Sequence, residues 1–137
     1  MEFKVLEETD IELMLDFVDD EDTQYDKDYL RKFIRNKNTY GFIAKENNKV
    51  FGFAYGYVLV KPDGRESFYF DSIDVIKDGQ NKGIGTQLMQ YVSNYSKKLG
   101  CYEMFLITQK RNASACKCYT KAGGVSEAED DIVYVFE

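Results

Sequence analysis

Histidine is missing from this chain, and its absence removes whole classes of chemistry. Ser-His-Asp and Cys-His nucleophile systems are excluded, and the commonest metal ligand goes with them. Any general base has to be Asp, Glu, Tyr, Lys or a relayed water. Cysteine is scarce: Cys101, Cys116 and Cys118 are odd in number and form no metal-ligand spacing. Two apart on a predicted helix, Cys116 and Cys118 point in different directions. They read as reduced, structural thiols, in keeping with a cytoplasmic setting. No apolar run approaches the ~20 residues of a membrane span, and Met1–Asp10 lacks the basic and apolar regions of a signal peptide. Positive charge is in deficit, with 18 Lys and Arg against 24 Asp and Glu and a net charge of -6. A general nucleic-acid binder needs a basic face, so the balance argues against that class.

Aromatic residues are plentiful, 11 Tyr and 10 Phe, and they promise a core rich in large side chains. The 137 residues suit one domain, 1–137, able to bury roughly two-thirds of its unfolded surface. Around Phe3 and Val5 the alternation predicts a short first strand. Thr9 and Glu12 form a capping-box pattern ahead of Ile11, Met14, Leu15 and Val18, which share a helical face. A second helix is predicted to start near Asp26 or Asp28 and to carry Leu30, Phe33 and Ile34. Tyr40–Glu46, Lys49–Val60 and Glu66–Val75 read as an antiparallel meander, with turns at Asn47-Asn48 and Lys61-Pro62-Asp63-Gly64. Ile84 to Leu99 keeps helical spacing until Gly100 stops it. Met104–Thr108 is a short apolar strand, and a helical crossover should set it parallel to Glu66–Val75. Asn112 can cap a final helix ended by Gly123-Gly124, and Ile132–Phe136 alternates as a last strand. The fold class is α+β with a mixed sheet.

Between strand Glu66–Val75 and the helix from Ile84 runs Gln80-Asn81-Lys82-Gly83-Ile84-Gly85-Thr86. A glycine-paired strand-to-helix turn presents several backbone N–H groups to one point, where the helix dipole adds positive charge, and so readily binds phosphate or pyrophosphate. Gly83 and Gly85 have no side chain to keep a ligand from the backbone. A dinucleotide fingerprint is excluded, because Leu88 stands where a third glycine is needed and a hairpin meander precedes the loop. A P-loop is excluded as well, since Lys82 precedes the glycine.

The order of strand, Gln80-x-x-Gly83-x-Gly85 loop, helix, short strand and then Asn112-x-x-Ala115-x-x-x-Tyr119-x-Lys121-x-Gly123 resembles the GNAT superfamily of acetyl-CoA-dependent N-acetyltransferases. The likeness covers essentially the whole chain. It departs from the family at Asn81-Lys82, at Lys77 where Pro is common, and at Gly124 where an aromatic usually stands. Within the superfamily the chain is similar to the small aminoglycoside 3-N-acetyltransferases, through Asp28-Tyr29-Leu30, the meander from Tyr40 to Val60 and Cys118 to Gly123. The resemblance implies a mostly antiparallel sheet of about six to seven strands with about four helices, the central strands splayed into an acyl-CoA slot.

It also implies roles. Gln80, Asn81, Lys82, Gly83, Ile84, Gly85 and Thr86 would hold the pyrophosphate of acetyl-CoA. Backbone groups of Ile73, Asp74 and Val75 would pair with the pantetheine arm, one of them polarising the acetyl carbonyl. Asn112 would reach a pantetheine amide, although a helix cap explains it equally well. Tyr119 would be the general acid that protonates the departing thiolate; the alternative is a core tyrosine. The base is Asp71, then Asp74, then Glu66, unless bulk water takes the proton. In a regular strand Asp71 shares a face with Tyr69, Ile73 and Val75 and opposes Asp74, a parity that a β-bulge would change.

An acceptor region would lie between the first two helices, where Asp19, Asp20, Glu21, Asp22 and Asp26 concentrate negative charge, with Glu127, Glu129, Asp130 and Asp131 adding to it. Each is also explained as a solvated acidic residue; together they fit a cationic small amine, aminoglycoside- or polyamine-like. A protein N-terminus or lysine is an alternative acceptor, and a non-catalytic acyl-CoA sensor is an alternative of another class. No metal, membrane or nucleic-acid partner is expected. Dimers are common among similar proteins, so a homodimer is compatible with the chain.

Overall fold

The computed structural model describes residues 1–17, 24–80, 82–126 and 130–137. Five strands form one sheet in sequence order, β1 (Glu2–Val5), β2 (Thr39–Glu46), β3 (Lys49–Val60), β4 (Glu66–Val75) and β5 (Glu103–Phe105). Neighbours run antiparallel except β4 and β5, which the crossover through α3 (Ile84–Lys98) makes parallel. Asn47 and Asn48 turn β2 into β3 with φ of 52° and 61°, the left-handed pair that a two-residue hairpin demands. α1 (Ile11–Leu15) and α2 (Lys27–Arg35) cover one face of the sheet, while α3 and α4 (Ala113–Lys121) cover the other.

Each face has its own core. Toward α3, Phe42, Phe68, Phe70, Leu88 and Val92 are essentially inaccessible to water. Gly56 is the close approach on that face: a Cβ there would lie 2.3 Å from the Tyr69 carbonyl oxygen. Toward α1 and α2, Leu6, Ile11, Met14, Phe17, Ile43 and Phe53 pack together. The buried carboxylate of Asp10 anchors this side, accepting from the Glu7 backbone N–H and pairing with Lys4 at 2.9 Å and Lys45 at 3.6 Å. Its hydrogen bond holds the Lys4 ammonium above the usual lysine range.

Several expectations are corrected. The capping box is made by Glu7 and Asp10 at a 3-10 turn (Glu8–Asp10), not by Thr9 and Glu12, because that turn precedes α1 and shifts the start of the helix. The sheet has five strands among the described residues instead of six or seven. β5 begins one residue earlier than Met104 and stops at Phe105. Residues 132–136 form no strand within this chain, since no sheet edge meets them. β4 has its extra residue at Asp71: Tyr55 pairs with Ser72 and Gly56 with Phe70, so Asp71 is left out of the ladder. That bulge sends Ile73 and Val75 toward α3 while Asp71 stays on the other face, so these three do not share a side.

Candidate active site

β4 changes character at the bulge. Below it, Ser67, Phe68 and Tyr69 pair on both edges, with β3 and with β5; from residue 70 to 75 only the β3 edge is paired. β5 has ended by then, so the two strands open into a slot that runs toward α3. Ile73, Asp74 and Val75 lie along it on the free edge. An extended chain laid in that gap would find strand-type donors and acceptors.

At the wide end stands the start of α3. Gly83 is its N-cap, with φ of 79°, and no side chain caps the helix. The first ladder bond runs from the Gln87 N–H to the Gly83 carbonyl, so the N–H groups of Ile84, Gly85 and Thr86 precede the ladder, where the dipole favours an anion. Nothing lies within 4 Å of where a Gly83 Cβ would be, and Lys82 is exposed beside it. This open backbone cradle fits a pyrophosphate. Gly85 stands where α4 and β4 meet the first turn of α3: a Cβ there would make ordinary contact with Cys118 Sγ at 3.5 Å and Val75 at 3.7 Å. Ile84 is buried, and only its backbone is available. Gln80 folds back, its Nε2 donating to the Val75 carbonyl at 3.1 Å, which ties the loop to the end of β4. Asn81 lies outside the described residues.

The bulge brings together the two carboxylates that a regular strand would separate. Asp71 Oδ2 accepts from the Tyr57 hydroxyl at 3.0 Å, and Asp74 Oδ2 accepts from Ser72 Oγ at 3.4 Å. Both charges act on Tyr55, whose hydroxyl is pushed up mainly by burial and then by Asp71. Tyr57 is pushed up to about 12, by burial first and the Asp71 bond second. Around them runs a chain of rings, Phe33, Tyr55, Tyr57, Tyr69 and Phe105, with the Tyr69 and Phe105 rings stacked 5.2 Å apart. Glu66 lies at the opposite end of β4, by Tyr40 and Cys101, remote from this group.

α4 closes the site from the α3 side. Asn112 is its N-cap, with the side-chain carbonyl accepting from the Ala115 N–H at 3.2 Å, the capping alternative of the sequence reading. Thr86 Oγ1 and Cys118 Sγ meet at 3.7 Å and tie the first turn of α3 to α4. Tyr119 is half-buried against the α3 core, and burial, then the charges of Cys118 and Asp74, raise its hydroxyl above the ordinary tyrosine value. Tyr119 and Asp74 therefore sense each other across the slot.

The acceptor residues are less gathered. Asp26 caps α2, accepting from the Asp28 and Tyr29 N–H groups, so its carboxylate is engaged. Asp19, Asp20, Glu21 and Asp22 fall outside the described residues, as do Glu127 and Glu129. Asp130 and Asp131 are exposed. Among the described residues no group of three or more His, Cys, Asp or Glu side chains could hold a metal. No helix among them is long and apolar enough to cross a membrane.

The model of the acetyltransferase (GNAT) family matches residues 6–124. The chain belongs to that family. It is a GNAT N-acetyltransferase using acetyl-CoA. It is similar to streptothricin acetyltransferase A of Bacillus subtilis (strain 168), 23% identical over 116 residues, covering 81% of this chain and 67% of that protein. An aminoglycoside acetyltransferase from an uncultured soil metagenomic sample, solved with sisomicin, superposes with a TM-score of 0.80 at 21% identity, over 99% of this chain and 96% of the other. An aminoglycoside N-acetyltransferase solved with CoA superposes at 0.75 with 20% identity, over 99% of both chains. At such identities the two structures establish the fold of this acetyltransferase, and its acceptor is a separate question.

Sequence reasoning missed Tyr55, Tyr57, Ser72 and Phe105, the side chains that surround the carboxylates. The signal for them was the odd residue at Asp71: once the bulge is placed, Tyr55 and Tyr57 fall on its face. Two hollows lie beside α2 near Arg35 and Asn36, and neither is lined by Asp71, Asp74 or Tyr119. The site is an open slot.

Proposed function

We propose that this acetyltransferase transfers the acetyl group of acetyl-CoA directly to a primary amine of a small cationic acceptor, aminoglycoside- or polyamine-like, within a ternary complex. The observation that carries this reading is the bulge, which sets Asp71 and Asp74 together on the face opposite α3, at the mouth of the slot. Pyrophosphate would sit on the N–H groups of Ile84, Gly85 and Thr86 with Lys82 alongside, and pantetheine along the free edge at residues 73–75. Two carboxylates among aromatic rings would draw in a cationic amine and hold it for deprotonation. Asp71 or Asp74 would take the proton, directly or through water. The free amine then attacks the acetyl carbon, the C–S bond breaks, and Tyr119 gives its proton to the leaving thiolate. Its raised pKa keeps that proton in place until the thiolate forms. The second proton leaves the new amide nitrogen through water to restore Tyr119. The three cysteines are free of disulfides, which suits a reducing, cytoplasmic setting.

The test is CoA release with acetyl-CoA against aminoglycosides, polyamines, amino acids and lysine peptides, with thermal shift by acetyl-CoA in parallel. Release with aminoglycosides or polyamines is expected. Release confined to peptides would transfer the reading to a protein acceptor, and stabilisation without any release would point to a sensor.

A further inference from the structure

Tyr57 is held more firmly than an ordinary half-exposed tyrosine. Its ring lies between those of Tyr55 and Tyr69, with centroids 6.3 Å and 6.1 Å away, the first edge-on and the second tilted. Two χ angles place a tyrosine hydroxyl, so clamping the ring on both sides fixes its oxygen in space. That oxygen stands beside Asp71 and donates to Oδ2 at 3.0 Å. It keeps its proton near neutral pH, because burial first and the Asp71 bond second push the group up to about 12.

The bond depends on the bulge. Tyr57 opposes Tyr69 across the β3–β4 ladder, and Asp71, left out of that ladder, lies two positions further along. Diagonal neighbours of this kind are roughly 7–8 Å apart at the backbone, within reach of an aromatic side chain and beyond that of serine or threonine. The exposed Asp71 carboxylate has no other restraint: among the described residues no ion pair and no second hydrogen bond engages it. Asp74 is held differently, from its own strand, by Ser72 Oγ at 3.4 Å. Without the Tyr57 hydroxyl the Asp71 carboxylate would turn about χ2 and exchange its two oxygens.

We propose that Tyr57 is a positioning residue for acetyl transfer, fixing Asp71 by Oδ2 so that Oδ1 is the oxygen that meets the amine. The proposal rests on the reading of Asp71 as the carboxylate that takes the amine's proton. Proton removal needs the accepting oxygen within hydrogen-bond reach of the N–H, and a carboxylate free to turn spends part of its time elsewhere. Tyr57 acts through Asp71 and not on the acetyl group itself.

A double-mutant cycle in steady-state kinetics tests it, with sisomicin and spermidine as probe amines, one for each class of proposed acceptor. Tyr57→Phe keeps the ring and its neighbours. It should lower kcat/KM for the amine about tenfold, mostly in kcat, with the KM for acetyl-CoA unchanged. In an Asp71→Asn background no carboxylate is left to aim, so the same change should cost less than about twofold. If Asp71→Asn is impaired while Tyr57→Phe keeps the wild-type rate, the positioning role is overturned and the reading of Asp71 stands. Equal losses from Tyr57→Phe in both backgrounds would also overturn it, since Tyr57 would then act without Asp71. Full turnover by Asp71→Asn, or a wild type that acetylates neither amine, would overturn the underlying reading and this role with it.

Discussion

Toward α3, the candidate site consists of backbone: the uncapped N–H groups after Gly83 and the free edge of β4. Toward α1 and α2, the same strand presents side chains, with Asp71 and Asp74 among the hydroxyls of Tyr55, Tyr57 and Ser72. A backbone site depends on what is missing at a few positions and on a rigid helix behind it. A side-chain site depends on a bulge that aims its groups. Each face should therefore fail in its own way.

The largest contrast is in stability, between adjacent residues of β4. Phe68 is wholly buried in the α3 core, and Phe68→Ala should cost about 3–5 kcal/mol in urea unfolding, transfer and cavity terms together. Tyr69, half-buried on the other face, should cost only ~1–2 kcal/mol on truncation to Ala. Equal losses would mean that the two faces share the core load.

Next comes turnover. Tyr119→Phe should lower kcat by about 10²-fold, the lower end of what a positioned acid supplies, and leave stabilisation by acetyl-CoA unchanged. Asp71→Asn should lower kcat/KM for the amine and spare acetyl-CoA binding. Unchanged turnover in both would remove the proposed roles without touching the fold. On the donor face, Gly83→Val should raise the KM for acetyl-CoA about tenfold with kcat nearly kept, because a β-branched residue resists φ of 79° and crowds the cradle. A native KM in the Gly83→Val variant would show that the pyrophosphate binds elsewhere.

How much of this was legible in the sequence divides along the same line. Gly83, Asn47-Asn48 and Asn112 were readable because each answers a local demand: positive φ or a cap. β3 and β4 came out with their observed bounds, since apolar runs between turn residues mark them. The bulge at Asp71 was foreseen as a change of parity but could not be placed, because register depends on the partner strand. Tyr57 and Phe105 had no local signature at all, being brought to the site by pairing between strands distant in sequence. Residues 132–136 were read as a last strand from their alternation, but a strand is made by its partner, and no edge of this sheet meets them.

The smallest effect is the most pointed test of the side-chain face. Tyr57 holds its proton up to about 12, whereas in the unfolded chain it titrates near its ordinary 10.0. Between those values the folded state keeps a proton that the unfolded state has lost. Raising the pH therefore draws the chain toward unfolding: stability associated with this group is intact below pH 10 and gone by about pH 12. Tyr55 and Tyr119, also raised, act in the same direction. Tyr57→Phe has no proton to lose, so its alkaline unfolding curve should fall less steeply across that window, with neutral-pH stability changed by under ~1 kcal/mol. An unaltered slope would mean that Tyr57 is neither buried nor bonded to Asp71 in solution, because burial and that bond together hold its proton.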